Sequence, residues 1–132
     1  MAVIYNKTER GNPSDKGAAK KWYPILKSTG MVKEREVANL LADETTLNRK
    51  EAEMAISQLL KVVTSLLLNG KTVQLGDLGS FRLTASAIGS DKKEEVNANK
   101  VKKLNVRFTV SDTFKTALKK AKLIDAATIK KD

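Results

Sequence analysis

The sequence predicts an α+β fold, and three observations carry that prediction. Residues 32–44 and 49–69 repeat apolar side chains at helical spacing. After Gly70 the period switches to two, as in strands with one apolar and one polar face. From Ser111 a third amphipathic stretch closes the pattern. The chain has 132 residues, enough for one domain with an extension and for a real hydrophobic core.

At the N-terminal end, Ala2–Thr8 and Lys20–Ser28 read as short extended segments. They flank the turn formers Gly11-Asn12-Pro13-Ser14-Asp15-Lys16-Gly17. Pro24 cannot donate to a ladder, so the second segment is predicted as an edge strand or irregular.

The first helix spans about Val32 to Glu44, with Val37, Leu40 and Leu41 inside and Lys33, Glu34, Arg35 and Glu36 outside. The second is predicted over Arg49–Asn69. Asn48 caps it, Glu51 completes a capping box, and Gly70 stops it. Ala52, Ala55, Ile56, Leu59, Val63, Leu66 and Leu67 form one stripe, widened by Leu60, Val62 and Leu68. A helix so apolar near its end needs cover on more than one side, which in a small chain implies a partner subunit.

Val73 and Leu75 then alternate with Thr72 and Gln74, and Gly76-Asp77-Leu78-Gly79 turns the chain. Phe81 and Leu83 alternate with Arg82 and Thr84, and later Leu104, Val106, Phe108 and Val110 with Lys103, Asn105, Arg107 and Thr109. Arg82, Lys103, Asn105 and Arg107 collect on one polar face. Between these strands, residues 85–101 are too polar to bury and long for a hairpin turn, so they predict a protruding arm. The last helix begins at the cap Ser111 and runs through Phe114, Ala117, Leu118 and Ala121, with Lys115, Lys119 and Lys122 on its other face. Those lysines suit either the macrodipole or a phosphate backbone. Residues 123–132 lack a strong pattern and read as a tail.

Charge narrows the function. The chain carries 25 Lys and Arg against 15 Asp and Glu, a net +10. Residues 100–122 hold eight cations against Asp112 alone. A scattered excess is a solvated surface; a concentrated one also fits a polyanion partner. No Cys and no His exclude disulfides, thiolate-metal sites and the commonest general base. The glycine turn lacks the spacing and lysine of a P-loop, and Asp77 reads as a turn former. Catalysis, cofactors and bound metals are not predicted. Trp22 and Tyr23 read as packing residues of the N-terminal segment or as a ligand platform, the former favoured. No signal peptide or membrane span is legible, and the chain reads as intracellular.

The order of elements resembles the HU and integration host factor family of bacterial histone-like DNA-binding proteins. Asn48-Arg49-Lys50-Glu51-Ala52, Val73-Gln74-Leu75-Gly76-Asp77-Leu78-Gly79-Ser80-Phe81 and Phe114-Lys115-Thr116-Ala117-Leu118-Lys119-Lys120-Ala121 carry the resemblance. It covers residues 31–122, and residues 1–30 look like the extra segment of longer HU-like variants. The resemblance implies a two-helix base, a three-stranded antiparallel sheet with a β-arm, a C-terminal helix and an intertwined homodimer. Two departures stand out. Leu78 replaces the aromatic of the family's glycine turn, and the arm lacks the proline that wedges between base pairs. Ile88 near the tip is either a substitute wedge or a residue packed on the opposite arm strand, and Asp91, Glu94 and Glu95 put negative charge there.

The family implies architectural binding of double-stranded DNA with little sequence preference, organising the bacterial nucleoid in the cytoplasm. The candidate contacts are Arg82, Lys103 and Arg107 on the saddle, Lys92, Lys93, Lys100 and Lys102 on the arm, and Lys119, Lys120 and Lys122 toward flanking backbone. The alternative is an HU-fold module whose basic face meets an acidic protein. RNA or single strands fit less well, since Phe81 and Phe108 lie on the apolar face.

Overall fold

The computed structural model describes residues 2–129 and divides into two compact units, Met1–Val32 with Ala117–Asp132, and Lys33–Thr116.

In the Lys33–Thr116 unit, α1 (Glu34–Asp43) packs on α2 (Arg49–Leu68), and Ser57 Oγ donates to Glu34 Oε1 at 2.9 Å between them. Asn48 caps α2 as the sequence requires: its Oδ1 accepts from the Glu51 N–H at 2.8 Å, and the Glu51 carboxylate accepts from the Asn48 N–H. At the far end Gly70 takes φ +81°, letting its own N–H reach Leu67 O at 2.9 Å and the Lys71 N–H reach Leu66 O at 3.0 Å. That pair of bonds is the Schellman arrangement, which a β-carbon would disfavour.

The chain then forms β3 (Val73–Gln74), β4 (Gly79–Ala87) and β5 (Val101–Val110), an antiparallel sheet in that order. Its apolar face stacks Phe81 on Phe108, ring centroids 4.8 Å apart, with Leu83 opposite Val106 and Ala85 opposite Leu104. Helix α3 (Asp112–Lys119) follows, capped by Ser111 Oγ, which accepts from the Phe114 N–H at 3.1 Å.

The other unit is a second three-stranded sheet. β1 (Ala2–Arg10) lies centrally, antiparallel to β2 (Lys21–Lys27) and parallel to β6 (Lys122–Asp125). Pro24 sits on the edge strand β2, as its missing N–H demands.

Two expectations need correction. The final helix ends at Lys119, so Lys122 lies on β6 and not on a helical face. The segment after residue 122 is no patternless tail. Leu123–Asp125 pair with Val3–Tyr5, and Ala126–Thr128 form a 3₁₀ turn; residues 130–132 lie outside the described residues. Four residues of strand are too few for a periodic signal, and parallel pairing to a distant segment leaves no local trace. Within the sheet unit Trp22 is 68% exposed and Tyr23 45%.

Among the described residues the buried hydrophobics are Ala38, Ala52, Leu67 and Val73. Leu59, Leu60, Val62, Leu66 and Leu68 of α2 and Leu104, Val106 and Phe108 of β5 are exposed. The face of α2 that is covered runs through Ala52, Ile56, Val63 and Leu67, as helical spacing dictates.

Candidate nucleic-acid interface

The register of β4 and β5 decides which side chains share a face, because directly opposed residues of an antiparallel pair point the same way. Ser80 faces Thr109, Arg82 faces Arg107, Thr84 faces Asn105, and Ser86 faces Lys103. This polar face is the reverse of the Phe81–Phe108 side. Arg82, Lys103 and Arg107 are all exposed. Asn105 Nδ2 donates to Ser86 Oγ at 3.4 Å, linking the two strands beside the cations. Sequence alternation singles out Arg82, Lys103, Asn105 and Arg107; the hydroxyls of Ser80, Thr84, Ser86 and Thr109 belong to the same alternation and complete the face. Such hydroxyls are ordinary phosphate donors.

The arm is shorter than expected as an irregular segment. Strand pairing persists to Ala87 and Val101, and the Ile88 N–H still donates to Lys100 O at 2.8 Å. The connection beyond carries two 3₁₀ turns, Lys93–Glu95 and Ala98–Lys100. Lys92 and Lys93 are exposed there, and Lys100 is half-buried. Ile88 is 49% exposed. The register skips Lys102: Ala87 pairs with Val101 while Ser86 pairs with Lys103. Lys102 is thus the extra residue of a β-bulge, a device that re-aims a side chain and bends its strand.

A tight junction holds the sheet to α3. Gly79 has φ +144°, and a β-carbon there would collide with the Thr109 carbonyl oxygen and the Phe108 ring. Asp77 lies in the turn: its backbone oxygen accepts from Ser111 Oγ and its carboxylate from Thr113 Oγ1 at 3.4 Å. These bonds tie the turn to the start of α3.

The ten predicted contact residues are not all brought together. Arg82, Lys92, Lys93, Lys100, Lys102, Lys103 and Arg107 belong to the Lys33–Thr116 unit, whereas Lys119, Lys120 and Lys122 belong to the other. Lys119 ends α3, Lys120 follows in the turn, and Lys122 stands in register with Ala2. Among the described residues the one ion pair is Lys7 with Asp125, so none of the ten cations is neutralised by a carboxylate there. Among the described residues no group of three or more acidic side chains could hold a metal ion, and no helix is long and apolar enough to cross a membrane.

Two helices, a three-stranded antiparallel sheet with an extended β4–β5 hairpin, and a capped closing helix define the HU-like class of folds. The chain belongs to the family of HU domains fused to a winged helix-turn-helix, an immunoglobulin or a glycine-rich motif, whose model matches residues 1–124. A protein from Bacteroides vulgatus ATCC 8482, provisionally described as a bacterial DNA-binding protein, has a similar crystal structure. The TM-score is 0.68 and the identity 14%, over 95% of this chain and 48% of that one. This chain therefore spans about half the length of that relative. HU from Anabaena, in a cocrystal with DNA, matches with a TM-score of 0.53 and 16% identity, over 66% of this chain and 97% of its own. No curated protein matches the sequence.

Proposed function

We propose that the protein binds double-stranded DNA as a homodimer, with little sequence preference, as a non-catalytic architectural component of the bacterial nucleoid in the cytoplasm. One observation carries the reading: Arg82 and Arg107 are opposed on a polar sheet face that also bears Lys103, with no carboxylate paired to any of them among the described residues. Such a face suits phosphate, not base edges, since its cations sit on a sheet surface beside small hydroxyls and, among the described residues, no helix presents a row of base-reading side chains. Lys92, Lys93, Lys100 and Lys102 extend the positive charge along the hairpin, and Lys119, Lys120 and Lys122 serve flanking backbone. The DNA in the Anabaena HU cocrystal supports the same partner class here.

Exposed apolar surface supports the homodimer. Full burial of a Leu, Val or Phe side chain is worth about 1.5–3 kcal/mol. The exposed side chains of α2 and β5 named above would forfeit on the order of 10 kcal/mol if left in water, comparable with the whole stability of a domain. A second copy with the same unsatisfied faces is the economical cover, and an intertwined arrangement places α2 and β5 of each chain against the other.

A duplex titration across salt concentrations tests the function. If the saddle of a dimer alone meets about six phosphates, one for each copy of Arg82, Lys103 and Arg107, log affinity falls against log salt with a slope near −5, and every further contact steepens it by about 1. A flat response overturns the reading. Retention of one acidic protein from nuclease-treated extract, with no duplex binding, would favour instead a protein-interaction module, the reading toward which Asp91, Glu94 and Glu95 of the hairpin connection incline.

A further inference from the structure

Divided by structural unit, the charge balance points away from the HU-like part. The Lys33–Thr116 unit holds 14 cations and 11 acids, a net +3, whereas residues 1–32 with 117–132 hold 11 cations and four acids, a net +7. The smaller unit carries most of the excess.

Its sheet sorts that charge by face. In the β1–β2 register Arg10 opposes Lys21, Thr8 opposes Tyr23, Asn6 opposes Ile25 and Ile4 opposes Lys27; on the other side of β1, Ala2 pairs with Lys122. Opposed residues share a face, so Arg10, Lys21, Lys27 and Lys122 lie together with Tyr23 and no acidic residue of the three strands. The reverse face carries Glu9, Asp125 and Lys7 among Tyr5, Trp22, Leu26 and Leu123. The four cations are exposed, and a shallow groove runs past Arg10, Lys21 and Tyr23 under Asn12 and Pro13 of the connecting turn. Arg10 against Lys21 is a directly opposed like-charge pair, which costs stability in a sheet unless an anion sits between them. From Lys21 to Lys27 the strand spans about 20 Å, roughly six base-pair steps of duplex.

We propose that this face of the β2–β1–β6 sheet is a second duplex-binding surface, in which Arg10, Lys21, Lys27 and Lys122 contact phosphates and the Tyr23 hydroxyl donates to one. The proposal rests on the reading that the chain binds DNA, and it assigns the N-terminal segment a direct part in doing so. Charge complementarity selects the partner. A face of four cations with a hydroxyl donor, with Ile4 and Ile25 half-buried at its centre and Ile124 37% exposed beside them, fits a regular array of phosphates better than an apolar partner.

The test uses the full chain and a 30-base-pair duplex. The face variant combines Arg10→Gln, Lys21→Gln, Lys27→Gln and Lys122→Gln. A helical-base variant, Lys33→Gln with Arg35→Gln, Lys50→Gln and Lys61→Gln, removes the same net charge elsewhere. A saddle variant carries Arg82→Gln with Arg107→Gln. The face variant is expected to flatten the salt slope by about 3–4 per chain, and the helical-base variant by less than about 1. Equal slopes for these two variants, or a wild-type slope for the face variant, overturn the inference. A loss in the face variant with an unchanged saddle variant upholds it while removing the saddle reading, and the reverse result does the opposite. If the fourfold variant fails to fold, Lys21→Gln alone decides. Its melting temperature is expected to hold or rise as repulsion is relieved, while affinity at 0.1 M salt falls about eightfold for each chain whose face meets the duplex. Unchanged affinity, or affinity lost together with stability, makes Lys21 a structural residue and overturns the assignment.

Discussion

Arg82 and Arg107 stand directly opposite one another across β4 and β5, on the face turned away from the Phe81–Phe108 stack. Opposed like charges in a sheet are unfavourable by a few tenths of a kcal/mol to about 1 kcal/mol. The alternation of both strands leaves them no other face, so the repulsion is retained in the free protein and relieved by an anion. Replacing both with Gln should therefore leave thermal stability unchanged or slightly raised. In gel shifts against linear, nicked and cruciform duplexes it should weaken binding to all three alike, with a salt slope shallower by about 2 per chain. Loss confined to one DNA form would mean that the pair reads structure and not backbone.

Leu60 and Leu68 are each 69% exposed on α2. A chain acting alone would tolerate Lys at either position, because surface changes usually lie within about 0.5 kcal/mol. In a homodimer that covers α2, Leu60→Lys puts a charge into an apolar interface. Sedimentation should then show the monomer at micromolar concentration, with stability lowered by at least about 2 kcal/mol. A wild-type sedimentation profile for both Leu60→Lys and Leu68→Lys would leave the dimer without support from this face.

Gly79 combines a backbone conformation that suits glycine with no space for a β-carbon. Gly79→Ala should cost at least about 2 kcal/mol, since conformational strain and displacement of Thr109 add. At Gly89 an added β-carbon would meet nothing within 4 Å and φ is not positive, so Gly89→Ala should be accepted without measurable loss. Paired chemical denaturation curves compare the two directly; equal midpoints would remove the structural demand placed on Gly79.

What the sequence disclosed followed the reach of each signal. The capping box at Asn48 and Glu51 and the glycine stop at Gly70 are local, and they are where the residues place them. The alternation from Phe81 and from Leu104 forces Arg82, Lys103 and Arg107 to one side whatever the strands pack against. The bulge at Lys102 depends on pairing between two strands, and no single-strand period reports it. The β1–β6 pair is beyond local reach altogether. It joins residues more than a hundred positions apart through a strand of four, so Lys122 of β6 and Lys27 of β2 look unrelated until the register of both with β1 aligns them on a face.

That parallel pair has its own electrostatic fastening, with a defined pH window. Asp125 Oδ2 lies 3.1 Å from Lys7 Nζ, and Asp125 Oδ1 accepts from the Ala127 N–H at 3.0 Å. The Ala127 hydrogen bond first, and Lys7 second, hold the Asp125 carboxyl below its ordinary 3.8. The hydrogen bond and charge of Asp125 hold Lys7 above its ordinary 10.5. A depressed carboxyl stabilises the fold above its unfolded value and loses that contribution as pH falls through the folded one; a raised ammonium does so below its unfolded value and loses it as pH rises. The β1–β6 pairing should therefore be fully held between about pH 4 and pH 10 and loosen outside both limits. Amide exchange at Leu123 and Ile124 reports it, with protection dropping below pH 4 while the β4–β5 amides stay protected. Lys7→Gln should raise the Asp125 pKa only part of the way to its ordinary value, because the Ala127 bond survives, and 1 M salt should mimic that change by screening an exposed pair. An Asp125 carboxyl that returns fully to its ordinary value in Lys7→Gln would show that the ammonium, and not the turn, holds the proton off.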